Sequence, residues 1–166
     1  MDVAVVSLSA WRVWGVSPEL DLLSVFKSDV WPRGEPVDAR CLSAGPYQYY
    51  PPGFPAETIA GHDAPQSDCM CGLYAWLDPR FIESEGWAHT ERDGWRDDKV
   101  SHLVLGRVSV FGRVVPTTLG YRAQRMRPKA LVRDHPHVGT GAQVTEVAAR
   151  YGLPLVDWEE AIEWAA

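Results

Sequence analysis

From Leu103 to Val115 apolar and polar residues alternate. Val104, Val108, Val110 and Val114 share one face, and Arg107, Ser109, Phe111 and Arg113 share the other. A period of two is the signature of a half-buried strand. Gly106 and Gly112 fall on the apolar face, where a missing side chain marks a bulge or the close approach of another backbone. Pro116-Thr117-Thr118-Leu119-Gly120 predicts a hairpin turn, with Tyr121 to Met126 returning antiparallel. Pro128 lacks a ladder donor and predicts an edge there, followed by a further short strand over Ala130 to Val132.

The same logic covers the rest of the chain. Val3 to Val16 is dense in β-branched and aromatic residues and predicts a strand around Trp11 to Val16. Ser17-Pro18-Glu19 signals a turn before a second apolar run, Leu20 to Phe26, so the two form a hairpin. Val37, Ala39 and Cys41 alternate with Asp38 and Arg40, which sends Cys41 to the apolar side. Cys71 to Leu77 suits a short strand or the first turns of a helix. Near the C-terminus, Thr140-Gly141-Ala142-Gln143 fits a capping box, and Val144, Val147, Ala148 and Tyr151 repeat at helical spacing until Gly152. Leu153 to Val156 is extended, and Asp157 caps a last helix striped by Trp158, Ala161, Ile162 and Ala165.

Two stretches carry neither period: Ser43 to Ala60, rich in Gly, Pro and Tyr, and Phe81 to Val100, where mobility is expected. The expected architecture is a single α+β domain over 1–166, with long loops at 43–68 and 79–102 and a helical part at 140–166. Its sheet is antiparallel and strongly bent, or a partly open barrel, closed by the two C-terminal helices docked on it.

At 166 residues, 46% hydrophobic and 23% charged, the composition is that of a globular domain able to bury roughly two-thirds of its unfolded surface without a metal's help. Eight tryptophans imply a bulky core and thirteen prolines many turns. No apolar run reaches membrane-spanning length and no basic leader precedes one, so a cytoplasmic protein without a membrane partner is expected. Three cysteines cannot all pair. That suits a reducing compartment, where thiols bind metal or stay free.

Two of those cysteines, Cys69 and Cys71, lie within ten residues of His62. In an extended segment residues i and i+2 face the same way, so both thiols can reach one ion. His62 reaches it if the Pro65 loop bends back, and Cys41 supplies a fourth ligand if its strand lies alongside. Three thiolates and an imidazole suit zinc in a closed tetrahedral site, although paired zinc cysteines are more often two to four residues apart. Buried free cysteines are the alternative. A third reading is a thiol enzyme, with Cys69 or Cys71 as nucleophile, His62 as base and Asp63 or Asp68 as orienter. Phosphate-binding, dinucleotide, serine-hydrolase and zinc-deaminase signatures are absent. His135-Pro136-His137 is a second metal-ligand pair on paper, and reads as an exposed turn.

The run His62-x-Ala64-Pro65-x-x-x-Cys69-x-Cys71-Gly72-Leu73-Tyr74-Ala75 has Trp14-Gly15-Val16 ahead of it, and Gly112-Arg113-Val114-Val115 and Gly120-Tyr121-Arg122-Ala123 behind. Together these resemble a group of small actinobacterial and actinophage proteins of no established activity. The resemblance spans about Trp11 to Leu131 and implies an autonomous unit built around the Cys/His stretch. Leu73 departs from the isoleucine more usual there.

Charge adds a second candidate function. The formal net charge is -6, yet Arg107, Arg113, Arg122, Arg125, Arg127, Lys129 and Arg133 form a run without a single acid, leaving the rest of the chain at -13. An arginine-bearing hairpin (Arg107, Arg113, Arg122, Arg125, Arg127) with Phe111 and Tyr121 among its residues is suited to an acidic partner, nucleic acid or protein. The competing reading is internal ion pairing with the acidic remainder of the chain.

Overall fold

A computed structural model describes residues 7–25, 29–41, 62–67, 69, 71–81, 99–139 and 141–165. Its architecture is α+β: a seven-stranded, largely antiparallel sheet curled into a partly open ring, with two helices near the C-terminus. The strands are β1 (Leu8–Val16), β2 (Leu22–Leu23), β3 (Val37–Asp38), β4 (Leu73–Trp76), β5 (His102–Pro116), β6 (Gly120–Arg133) and β7 (Leu155–Asp157). The helices are α1 (Gly141–Tyr151) and α2 (Trp158–Glu163).

The long hairpin β5–β6 is the frame. Thr117 N–H donates to Gly120 O at 2.9 Å across its turn. On its outer side β5 carries all of β1, from Leu8↔Val110 to Val16↔His102. The outer edge of β6 is shared by three short strands in succession: β4 on residues 120–123, β3 on 125–126 and β7 on 131–133. β4 also meets β1 through Trp11↔Trp76, which returns the sheet upon itself.

β6 therefore runs unbroken where the sequence suggests two strands with an edge at Pro128. The proline's missing donor falls between β3 and β7, opposite a register shift at Arg107/Val108, so no ladder bond is lost. The second shift, at Phe111/Val114, centres on Gly112 at φ 76°. Gly106 marks close approach instead, since a Cβ there would lie 2.2 Å from Ala130 O. β7 pairs parallel to β6, the one parallel contact among the described strands.

Both faces of the sheet are covered, which explains why β1 and the first half of β5 are apolar at nearly every position. Trp14, Val104, Val108, Val110, Met126 and Leu131 lie on one side, where α1 docks Val144, Val147, Ala148 and Tyr151. Trp14 and Trp31 meet edge to face there, with centroids 5.4 Å apart. Trp11, Val13, Leu103, Leu105, Ala130 and Val132 lie on the other, covered by Val138, Val156 and Ala161 of the α2 end. The two helices thus serve opposite faces. Asp157 stands at the start of α2 but makes no side-chain cap; its carboxylate instead pairs with Arg133. The Thr140 capping box, the loop Ser43 to Ala60 and most of Phe81 to Val100 lie outside the described residues.

Candidate metal centre

The site forms where two strands share one edge of β6. β3 runs antiparallel to β6 through Val37↔Met126 and Asp38↔Arg125, and Ala39 N–H then donates to Gln124 O at 2.6 Å. β4 takes over at the next residue, with Leu73↔Ala123. Cys41 leaves the sheet just after β3, and Cys71 enters just before β4. Both chain ends converge at the seam between Gln124 and Ala123, and with them the three cysteines.

The ligand atoms of Cys41, His62, Cys69 and Cys71 all lie within 4.8 Å of one another. Cys41 Sγ and Cys69 Sγ are 3.9 Å apart, and His62 Nε2 is 3.1 Å from Cys71 Sγ. A tetrahedral zinc with Zn–S bonds of about 2.3 Å separates its ligand atoms by roughly 3.3–3.8 Å, so the donor set and spacing fit such an ion. Cys69 is buried and the other three are half-buried. All four predicted ligands are brought together.

The loop bearing three of these ligands is held from the hairpin by two arginines that sequence reasoning places on a docking surface. Arg113 Nη1 donates to the carbonyls of Asp63 (3.2 Å) and Pro65 (3.5 Å). Arg122, buried at 9% exposure, donates Nη1 to the carbonyls of Gln66 (3.3 Å), Cys69 and Cys71 (3.2 Å). Gly72 completes the seat at φ 122°, since a Cβ there would stand 3.0 Å from Pro65 Cβ and 3.3 Å from Arg122 Cβ. The role of Arg122 is invisible to local pattern, because only the β4–β6 register, Tyr74↔Arg122, sets it beneath the loop.

Crowding three thiols has an electrostatic consequence. Burial first, then the hydrogen bond with Cys69 and the neighbouring charges of Cys69 and Cys41, push the Cys71 thiol up to about 12. A divalent cation reverses that balance, because thiolates bound to it shed their protons. An activated nucleophile needs a shift in the other direction. Of the proposed orienters, Asp63 is exposed and Asp68 lies outside the described residues.

No family model, curated protein or solved structure matches the chain. Function is therefore read from the site and the surface themselves.

The other basic residues of the hairpin divide. Arg107 lies over the Trp164 ring at 4.7 Å, and Arg125 pairs with Asp38 at 3.1 Å while covering Phe111. Tyr121 is half-buried against the core. Among the described residues Arg127 and Lys129 are exposed and have no ion-pair partner. They line an open cleft of about 490 Å³ with Pro32, Tyr151, Leu153 and Pro154. His135 is buried rather than exposed: its Nδ1 accepts from His137 N–H at 3.1 Å, and its ring meets Trp158 edge on at 4.4 Å. No helix among the described residues is long and apolar enough to cross a membrane.

Proposed function

We propose that the chain is a small zinc-stabilised recognition protein. In this reading zinc binds Cys41, His62, Cys69 and Cys71, and the basic side chains of β5–β6 contact an acidic macromolecule. The convergence of four soft ligand atoms within 4.8 Å, from two segments that approach β6 separately, carries the proposal. The neighbourhood of Arg122 supports it. A divalent ion on three thiolates and a neutral imidazole leaves one net negative charge, and the buried Arg122 guanidinium, which donates to three loop carbonyls, supplies the matching positive one.

Within the hairpin, Arg127 and Lys129 are exposed and without an ion-pair partner among the described residues, and they are the side chains assigned to the partner. Arg113 and Arg122 hold the loop, so their contribution to recognition is indirect. Metal content of the purified protein tests the centre, followed by alkylation of the thiols with and without a chelator. The expected result is stoichiometric zinc, with all three cysteines protected until it is removed. The surface is tested with Arg127→Glu and Lys129→Glu, which should abolish salt-sensitive binding to an acidic probe such as a single-stranded oligonucleotide and leave zinc content unchanged.

One contact favours a second reading. His62 Nε2 sits 3.1 Å from Cys71 Sγ, the separation of a base and a thiol nucleophile. A single metal-free cysteine that alkylates far faster than the other two would establish that reading and dismiss the zinc centre.

A further inference from the structure

We propose that Cys41 and Cys69 are a peroxide-responsive thiol pair whose oxidation ejects the metal; the inference rests on the zinc reading and adds regulation to it. The pair is set by position. Cys41 comes from the β3 side and Cys69 from the loop, with their sulfurs 3.9 Å apart, so a bond between them requires the sulfurs to close by about 2 Å. Cys71 contacts Cys69 as well, but its Sγ is shared with the imidazole, facing His62 Nε2 at 3.1 Å. Joining Cys69 to Cys71 would also close a ring of only three residues, far tighter than the crosslink between Cys41 and Cys69. Exposure supplies an order of events, because Cys41 is half-buried and Cys69 is buried.

The chemistry balances with hydrogen peroxide as the oxidant. The Cys41 thiolate attacks one peroxide oxygen and the O–O bond breaks. This gives a sulfenic acid on Cys41 and hydroxide, which a proton converts to water. The Cys69 sulfur then attacks the Cys41 sulfur, the S–O bond breaks, and a second water leaves. Two thiols have lost two electrons and one peroxide has become two waters. Cys71 and His62 remain as a two-ligand remnant, too few to retain the ion against a chelator. Arg113 and Arg122 still hold the loop carbonyls, so the oxidised loop stays seated while its charge changes.

The experiment uses the full chain reconstituted with zinc, its metal content measured first. Hydrogen peroxide is then added in the presence of a chromophoric zinc indicator, and the products are mapped by proteolysis and mass spectrometry. The expected result is release of one zinc for each pair of thiols lost, a Cys41–Cys69 crosslink, a free Cys71, and recovery of zinc binding on reduction. Failure to take up zinc at the outset sinks the metal centre itself. Zinc that loads but survives peroxide, or that leaves with a Cys69–Cys71 bond or irreversible sulfinic acid as the main product, overturns the switch while leaving the centre intact. A second variant guards against misfolding: Cys71→Ser keeps both members of the pair, and it should form the same crosslink whether or not it binds zinc tightly. Failure of that variant to crosslink while it remains folded also counts against the pair.

Discussion

Arg122 is where a residue's apparent character and its task differ most. Its alternation with Tyr121 and Ala123 on a basic strand suggests a surface cation, yet the guanidinium is buried under the loop and spends its donors on the carbonyls of Gln66, Cys69 and Cys71. Replacing it with methionine removes charge and donors together and leaves three partly buried acceptors without their partner. We expect Arg122→Met to weaken zinc binding by roughly 10- to 100-fold, the usual effect of deleting a group that orients metal ligands. Arg122→Lys, which restores the charge without the forked donor, should recover part of the loss. Competition with a chelating dye measures both, and unchanged affinity in the methionine variant would sever Arg122 from the centre. The four ligands themselves were legible in the sequence because His, Cys and i, i+2 geometry are local chemical facts. The arginines were not, since what they touch depends on strand register fifty residues away.

His135 makes a second argument at this scale. Its ring is buried against Trp158, with His137, Asp134, and the Arg133–Asp157 pair as the charged or titratable groups around the turn and the start of α2. Burial first, then the charge of His137, lower its pKa from 6.5 to about 4. The sign follows from which state holds the proton. Between pH 6.5 and 4 the unfolded chain is protonated at this position and the folded chain is not, so stability falls as pH drops through that window and levels off below it. The ceiling is about 3 kcal/mol. Denaturant unfolding of wild type and His135→Gln at pH 7 and 5 isolates the effect, because proton competition at the metal centre is common to both proteins. We expect the variant to lose less stability than wild type on acidification; equal losses would show that the imidazole is not excluded from protonation in the folded state.

Among the elements, β6 explains both the successes and the errors of pattern reading. The β5–β6 hairpin is legible because a period of two, a Pro/Gly-bearing turn and two glycine irregularities coincide over one stretch. The short strands are not, since β2, β3 and β7 hold only two or three residues each and owe their existence to the edge they pair with. The helices are readable from their stripes, but a stripe does not say which face of a sheet it covers. The tie between α1 and the opening strands has a similarly nonlocal basis. Tyr151 Oη accepts from Leu22 N–H at 2.8 Å and donates to Trp31 O at 2.8 Å, joining α1 to β2 and to the segment beneath Trp14. Tyr151→Phe keeps the ring and strips two buried backbone groups of their partner, so it should cost about 1–3 kcal/mol in denaturant unfolding. It should leave zinc affinity unaltered, because neither backbone partner of Tyr151 belongs to the segments that carry the four ligands. A loss confined to metal binding would place the coupling elsewhere.

At the scale of the whole molecule, what matters is how far the fold depends on the ion. Small zinc domains unfold without metal because the site substitutes for a core. Here two apolar clusters occupy both faces of the sheet, with Trp14, Trp31, Leu103, Leu105 and Leu131 almost wholly inaccessible, and none of the four ligands belongs to either cluster. Chelation should therefore unfasten the seam between β3 and β4 and leave the hairpin, β1 and both helices in place. With zinc present at about a thousand times its dissociation constant, linkage contributes roughly 4 kcal/mol. For a chain of this size that moves the melting temperature by about 8–16 °C. Calorimetry with and without chelator should show such a downward shift, with a single cooperative transition retained and the near-ultraviolet signal of the Trp14–Trp31 pair persisting below it. Collapse of that signal on metal removal would mean the ion organises the core, and the clusters on either side of the sheet could not then be self-sufficient. An unchanged melting temperature would mean that the converging thiols and imidazole hold nothing whose loss the fold can feel.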